Sequence, residues 1–278
     1  MSNTTSNTMS LNSTIELADG NKIPALGLGV WKTRSGKDCE NAVRAALDFG
    51  YRHIDTARIY GNEADVGRAV KESGIDREKI FITTKLWNTD QSNAASALEK
   101  SLSALDTDYI DLFLIHFPVQ KSRQLAWESL EQLKTTGKIR SIGVSNYTIS
   151  HLQELKGYAK EMPVVNQVEF HPYLFQKDLL AKCQAEKIVL EAYSPLAHGE
   201  KLQDKTLHQL ADSLGKTPAQ VLIRWSLQHG NIVIPKSSNP ERIRQNGSVF
   251  DFELDTATMA TIDSWNEDLR TCWDPTNA

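Results

Sequence analysis

Long apolar runs are missing from this 278-residue chain. Nothing approaches the roughly 18 consecutive apolar residues that a spanning helix needs, so no membrane partner is expected. Basic tracts are missing as well, and a formal net charge of -4 argues against nucleic acid or an anionic surface as a partner. The polar opening, residues 1–14, has neither the basic end nor the apolar centre of a secretory signal. Only three cysteines occur, Cys39, Cys183 and Cys272. Odd in number, far apart and without metal-ligand spacing, they predict free thiols in a reducing cytoplasm and no metal site. A phosphate-cradling glycine fingerprint is absent too. Gly27-Leu28-Gly29 does not continue into G-x-G-x-x-G, which excludes a Rossmann-type dinucleotide site.

What is present is an alternation of β-rich runs with segments of helical period. Residues 14–17 and 22–24 flank an Asp19-Gly20 turn and predict a hairpin lying under whatever follows. Strands are then expected at 25–29, 53–55, 80–84, 110–115, 139–144, 164–168, 188–192 and 231–234. Helices are expected at 38–49, 63–73, 93–105, 123–136, 150–159 and 176–186, then at 205–214 and 218–228 after the seventh strand, and from 239 after the eighth. Eight such units close most simply as an α/β (β/α)8 TIM barrel, a fold of roughly 250 residues. The expected organisation is a frayed tail over 1–13, then one domain over 14–278 with an extra C-terminal helix near 255–265. No long exposed apolar stripe asks for a partner, so a monomer is expected.

Working groups in such barrels sit where strands end. Strands two to eight end on Asp55, Lys85, His116, Ser145-Asn146, Gln167, Tyr193 and Lys236, and Tyr60 follows on the loop after Asp55. Asp55 as a turn cap and Tyr60 as rim cover is the plain alternative for that loop taken alone. Together, Asp55, Tyr60 and Lys85 from neighbouring strands can meet over the barrel mouth. There a lysine beside a phenol is expected to lower the phenol from its usual pKa of about 10, making Tyr60 a general acid. His116 could hydrogen-bond a carbonyl oxygen held at Tyr60. Such a group polarises and protonates a carbonyl but contains no nucleophile, so a bound hydride donor must complete it. After strand eight, Lys236-Ser237-Ser238-Asn239-Pro240-Glu241-Arg242 surrounds a helix start with cations and hydroxyls. Asn239 suits the N-cap, Pro240 the first helical position, and the free amides suit an anion such as the phosphate monoester of NADPH. A salt-bridged surface turn is the alternative. Tyr193 could stack on a nicotinamide ring while Ser145, Asn146 and Gln167 hold its carboxamide, or could simply be a core tyrosine.

In this order the residues resemble the aldo-keto reductase family over nearly the whole chain after the tail. The family's pattern around its active tyrosine matches Asp55-Thr56-Ala57, Tyr60 and Asn62-Glu63, with Lys85 as its lysine and His116 as its histidine. Its nicotinamide residues match Ser145-Asn146, Gln167 and Tyr193-Ser194-Pro195-Leu196. Its adenosine-phosphate motif matches 234–238 through Arg242, Gln245 and Asn246. The resemblance implies hydride delivery from NADPH to an aldehyde or ketone, Tyr60 as proton donor, no metal, and Gly29, Val30 and Trp31 beside the cofactor. Phe117-Pro118 stands where many relatives have Trp-Pro, which alters the expected substrate wall. A short connection after Pro118, a brief tail and Leu196-Ala197-His198-Gly199 look like the bacterial branch that includes 2,5-diketo-gluconate and methylglyoxal reductases. Trp31, Trp87 and Phe117 would then line an apolar pocket that Trp273 closes. The competing implication is a barrel that holds NADPH as a redox sensor without turnover.

Overall fold

The computed structural model describes residues 9–278. Strands β1 (Thr14–Glu16) and β2 (Lys22–Pro24) form the antiparallel hairpin, with Ile15 opposite Ile23 and Gly20 in the left-handed region at φ 84°. Eight parallel strands follow in chain order around one sheet: β3 (Leu28–Gly29), β4 (His53–Asp55), β5 (Phe81–Leu86), β6 (Ile110–Ile115), β7 (Ile139–Ser145), β8 (Val165–Glu169), β9 (Val189–Tyr193) and β10 (Ile232–Val233). Parallel bridges Leu26 to Val233 and Gly29 to Lys236 join the last strand to the first. The backbone amides of Gly27 and Gly29 donate across that seam to the carbonyls of Val233 and Pro235. The sheet is therefore a barrel, as expected.

Helices occupy the crossovers: α1 (Lys37–Phe49), α2 (Glu63–Glu72), α3 (Ala94–Leu105), α4 (Arg123–Lys134), α5 (Ile149–Lys156) and α6 (Lys177–Ala185). Then come α7 (Lys205–Ser213) and α8 (Pro218–Gln228), α9 (Pro240–Gly247), and α10 (Thr256–Asp263) at the C-terminal end. Caps fix several starts: Thr217 and Gln220 form a capping box on α8, and Asn239 and Asp255 cap α9 and α10. No helix of the described residues is long and apolar enough to cross a membrane.

Alternation along each strand separates two cores. Ile54, Ile82, Leu86, Phe113, Val168, Leu190 and Ala192 belong to the large cluster shared with the helices. A smaller cluster contains Phe81, Leu112, Leu114, Val165 and Ile232, with Leu17 and Ile23 of the hairpin segment beneath. That cluster fills the lower interior. Farther along the same inward rows the side chains become polar: His53 then Asp55 on β4, Thr83 then Lys85 on β5, Gln167 on β8 and Glu191 on β9, all buried.

Of the tail expected over 1–13, residues 1–8 lie outside the described residues. The rest is anchored rather than frayed: Met9 and Leu11 pack on the main core, and the Ala25 amide donates to the Ser13 carbonyl at 3.0 Å. Trp127 and Trp225 are core residues, the latter stacked on Phe170 at 5.2 Å.

Gly27 closes the seam where a side chain has no room, since an added Cβ would stand 2.5 Å from His53 Nδ1. Gly27→Ala must displace a fully buried imidazole, and overpacking of this kind costs about 1–3 kcal/mol. Urea unfolding should show that loss, and an unchanged midpoint would show that the interior is looser than described.

Candidate active site

Parallel pairing of β4 with β5 sets Asp55 against Thr83, which leaves Lys85 two residues farther up on the same inward face. The Lys85 ammonium donates to Asp55 Oδ1 at 2.7 Å, to Asp55 Oδ2 at 2.8 Å and to the Thr56 carbonyl at 2.8 Å. Its remaining contact is the Tyr60 hydroxyl at 3.3 Å. Tyr60 ends a single 3-10 turn, Arg58–Tyr60, and is only half-buried as a residue. Its hydroxyl end nevertheless lies inside, against an ammonium that is fully buried. Asn62 holds this loop in place: Thr56 Oγ1 donates to its Oδ1, and its Nδ2 donates to the carbonyls of Val30 and Thr33. His116, just past β6, sets its ring edge-on to Tyr60 with centroids 5.7 Å apart, and edge-on to Trp87 at 5.1 Å. Asn146 fixes its backbone by donating to the His116 carbonyl at 2.9 Å. Asp55, Tyr60, Lys85 and His116, distant in sequence, thus converge on one opening.

The electrostatics correct one expectation. Tyr60 is held well above the usual phenol value, first by burial and then by the negative charge of Asp55. Lys85 was expected to do the opposite. Its charge is instead engaged by both Asp55 oxygens and reaches the phenol only at the longest of its four contacts. Burial, and then Lys85, push His116 well below its ordinary value, so the imidazole is neutral; its Nδ1 has no partner among the described residues. The site therefore holds a neutral phenol beside a neutral imidazole.

The residues expected at the nicotinamide are bonded to one another. Ser145 Oγ donates to the Gln167 carbonyl at 2.8 Å, Asn146 Nδ2 also donates to Ser145 Oγ at 3.0 Å, and the Tyr193 hydroxyl donates to Asn146 Oδ1 at 2.7 Å. Gln167 Nε2 donates to Asp55 Oδ2 at 2.7 Å and Glu191 Oε2 at 3.0 Å. Both of these bonds use the Gln167 amide nitrogen and leave its Oε1 as the side chain's acceptor. Asn146, Ser194, Ala197 and His198 all have positive φ, so this rim is made of backbone conformations that non-glycine residues adopt only when held.

At the other expected subsite, Asn239 Oδ1 accepts from the Arg242 amide at 3.0 Å, and the Asn239 amide donates to Ser237 Oγ at 3.1 Å. Lys236, Ser238 and Arg242 are exposed, and among the described residues neither cation makes an ion pair. Burial, and then Arg242, lower Lys236, the mark of two cations facing one space. Glu241 of the same stretch pairs instead with Arg244 at 2.8 Å. Gln245 donates to Glu241 at 3.3 Å, and Asn246 is buried. Gly29 is on the barrel seam beside Lys236, and the Val30 amide donates to the Asp55 carbonyl at 3.0 Å.

Of the expected pocket residues, Trp31, Trp87 and Phe117 are half-buried, and Trp31 faces His198 with ring centroids 5.4 Å apart. Trp273, expected to close the pocket, is 65% exposed. The reason lies one residue earlier, where Glu169 accepts from the amides of Thr271 and Cys272 at 2.7 and 3.1 Å and ties the chain down. Neither Glu169 nor Glu191 was singled out in the sequence. The signal for Glu191 was an acid inside the otherwise apolar run 188–192.

Comparison with known proteins follows the same lines. Residues 25–267 match the profile described as "Aldo/keto reductase family". The chain is 49% identical over 263 residues to a protein of Bacillus subtilis named glyoxal reductase, covering 94% of this chain and 95% of that one. It is 46% identical to the methylglyoxal reductase DkgA of Escherichia coli, covering 94% and 96%. A deep-sea metagenome aldo-keto reductase superposes with a TM-score of 0.92 at 44% identity, covering 96% and 99% of the two chains. A Bombyx mori aldo-keto reductase in complex with NADP superposes at 0.87 and 36% identity, covering 94% of each.

Removing the ammonium alone should be costly. Lys85→Met leaves Asp55 buried and unpaired, a change that typically costs about 3–5 kcal/mol. Denaturant unfolding of the variant should show a deficit that shrinks in acid, where Asp55 takes up a proton, and a deficit flat with pH would contradict the pairing.

Proposed function

Because the chain belongs to the aldo/keto reductase family, we propose that it reduces small aldehydes, ketones and α-dicarbonyls to alcohols, with NADPH as hydride donor and Tyr60 as proton donor. The observation that carries this reading is the Tyr60 hydroxyl 3.3 Å from the Lys85 ammonium, on a ring that stands edge-on to the neutral His116 imidazole. The α-dicarbonyl class draws support from the names of the two bacterial relatives.

In this reading, bound NADPH supplies hydride to the carbonyl carbon. His116, as a neutral imidazole, donates a hydrogen bond to the carbonyl oxygen and fixes its direction. Tyr60 gives its proton to that oxygen, since an alkoxide is a far stronger base than a phenolate even when burial has raised the phenol. Lys85, held by Asp55, meets the phenolate that remains in a site of low dielectric. Trp31, Trp87 and Phe117 line the substrate side, with Trp273 at its edge.

For the cofactor, Lys236, Ser237, Ser238 and Arg242 with the first amides of α9 hold the phosphate monoester. Gln245 and Asn246 face the adenosine end. Tyr193 would stack on the nicotinamide, and Gln167, Ser145 and Asn146 would hold its carboxamide. Gly29, Val30, Ser194 and Leu196 complete the channel. We also take the protein to work as a monomer in the cytoplasm, a setting that suits its three free cysteines.

Mixing protein, NADPH and an α-dicarbonyl should consume the reduced-nicotinamide absorbance, and this turnover separates an enzyme from a redox sensor. Tyr60→Phe should lower kcat by about 10²–10⁴-fold with NADPH binding intact. Near-normal turnover in that variant would refute the proton-donor assignment. Arg242→Ala should weaken NADPH by roughly tenfold or more, the weight of a charge-assisted hydrogen bond, with little change for NADH. Equal losses for both cofactors would refute the phosphate site.

A further inference from the structure

Glu191 lies directly beneath the group just described, on the middle of β9, with no exposure. A single amide links it to that group: Gln167 Nε2 has two protons and gives one to Asp55 Oδ2 and the other to Glu191 Oε2. The two acids are otherwise unequally placed. Asp55 also receives both contacts from Lys85, whereas Glu191 Oε1 has no hydrogen-bond partner among the described residues, its nearest candidate being His53 Nε2 at 3.6 Å. Negative charge therefore settles on Asp55, and the proton of the pair sits on Glu191.

The surroundings agree. From β4, Glu191 faces His53 and Asp55; from β5, Lys85; from β8, Gln167; and from β10 only Ile232 and Val233. On the outer side, α6 carries Lys177 and Asp178 exposed and Lys182 paired with Glu186. Burial, and then the charge of Asp55, push Glu191 up to about 8. Burial and then Lys85 hold His53 down at about 3, so His53 supplies no countercharge.

We infer that Glu191 is a positioning residue for the proton donor: as a neutral acid it anchors the Gln167 amide that steadies Asp55 on Lys85, and a charge placed there weakens Tyr60 as an acid. This rests on the carbonyl-reductase reading, in which Tyr60 must release a proton. A second negative charge in the barrel makes phenolate formation harder, because Glu191 is among the groups that raise Tyr60. The rate of reduction should therefore fall as Glu191 loses its proton.

Two measurements on purified full-length protein test this, with Glu191→Gln keeping the shape and removing the titration. The first needs no substrate. A carboxyl whose folded value lies above its unfolded one loses stability as pH rises between the two, here from the ordinary carboxyl range up to about 8. Melting temperature from pH 6.5 to 8 should fall in the wild type relative to the variant, and parallel curves would overturn the assigned proton. The second follows the alkaline limb of kcat, expressed for each protein as the ratio of its rate at pH 9 to its rate at pH 6.5. Glu191→Gln should raise that ratio several-fold, and an unchanged ratio would overturn the positioning role. Glu191→Met serves the same comparisons if the glutamine variant does not fold. A wild type without turnover would defeat the reductase reading, while the melting curves would still decide where the proton sits.

Discussion

The buried contact between Lys85 and Asp55 organises the catalytic end of this barrel. Neither side chain is solvated, and among the described residues Asp55 is the carboxylate that pairs with the ammonium. Such a pair is a poor source of stability, because taking both charges out of water offsets most of their attraction. Its effect is positional. It fixes the end of β4 against β5, orients the carboxylate toward Gln167, and leaves one ammonium contact for Tyr60. The neighbouring protonation states follow from how completely the lysine charge is engaged: Tyr60 remains a phenol, His116 a neutral imidazole, and Glu191 an uncharged acid.

The barrel makes this affordable by dividing its interior. Apolar rows from Phe81, Leu112, Val165 and Ile232, with Leu17 and Ile23 under them, fill the lower half and exclude water. The same strands then turn polar within two to four residues. His53 pairs with Thr83, and Gln167 joins Asp55 to Glu191 beside Lys85, while His53 Nδ1 and Glu191 Oε1 are left without partners among the described residues. The outer shell of helices packs on Ile54, Ile82, Phe113 and Leu190, and α2 adds the buried Glu63, which accepts from Thr84 on β5 at 2.7 Å.

Most of the fold was legible because each unit carries its own local signal. A β-rich run and an amphipathic stripe recur eight times, with a polar strand end on the last seven, and the Asp19-Gly20 turn and the Asn239-Pro240 helix start are punctuation that packing did not override. The convergence of Asp55, Tyr60, Lys85 and His116 was legible for the same reason, since parallel strands bring their ends to one face. Two kinds of feature were not. Protonation depends on how one charge is shared among several acceptors, so the direction of the Tyr60 shift could not be read from having a lysine nearby. The course of the tail depends on Glu169, about a hundred residues away in sequence, catching Thr271 and Cys272, and no local pattern announces that Trp273 will stand exposed.

The central claim is that Lys85, engaged by Asp55, leaves Tyr60 protonated in the free protein. Alkaline difference absorbance of the tyrosinate band, comparing wild type with Tyr60→Phe, measures this directly. Identical titrations up to about pH 10, the ordinary phenol value, are predicted, because Tyr60 contributes no tyrosinate there. A one-residue amplitude present near pH 8 in the wild type and missing from the variant would contradict the account.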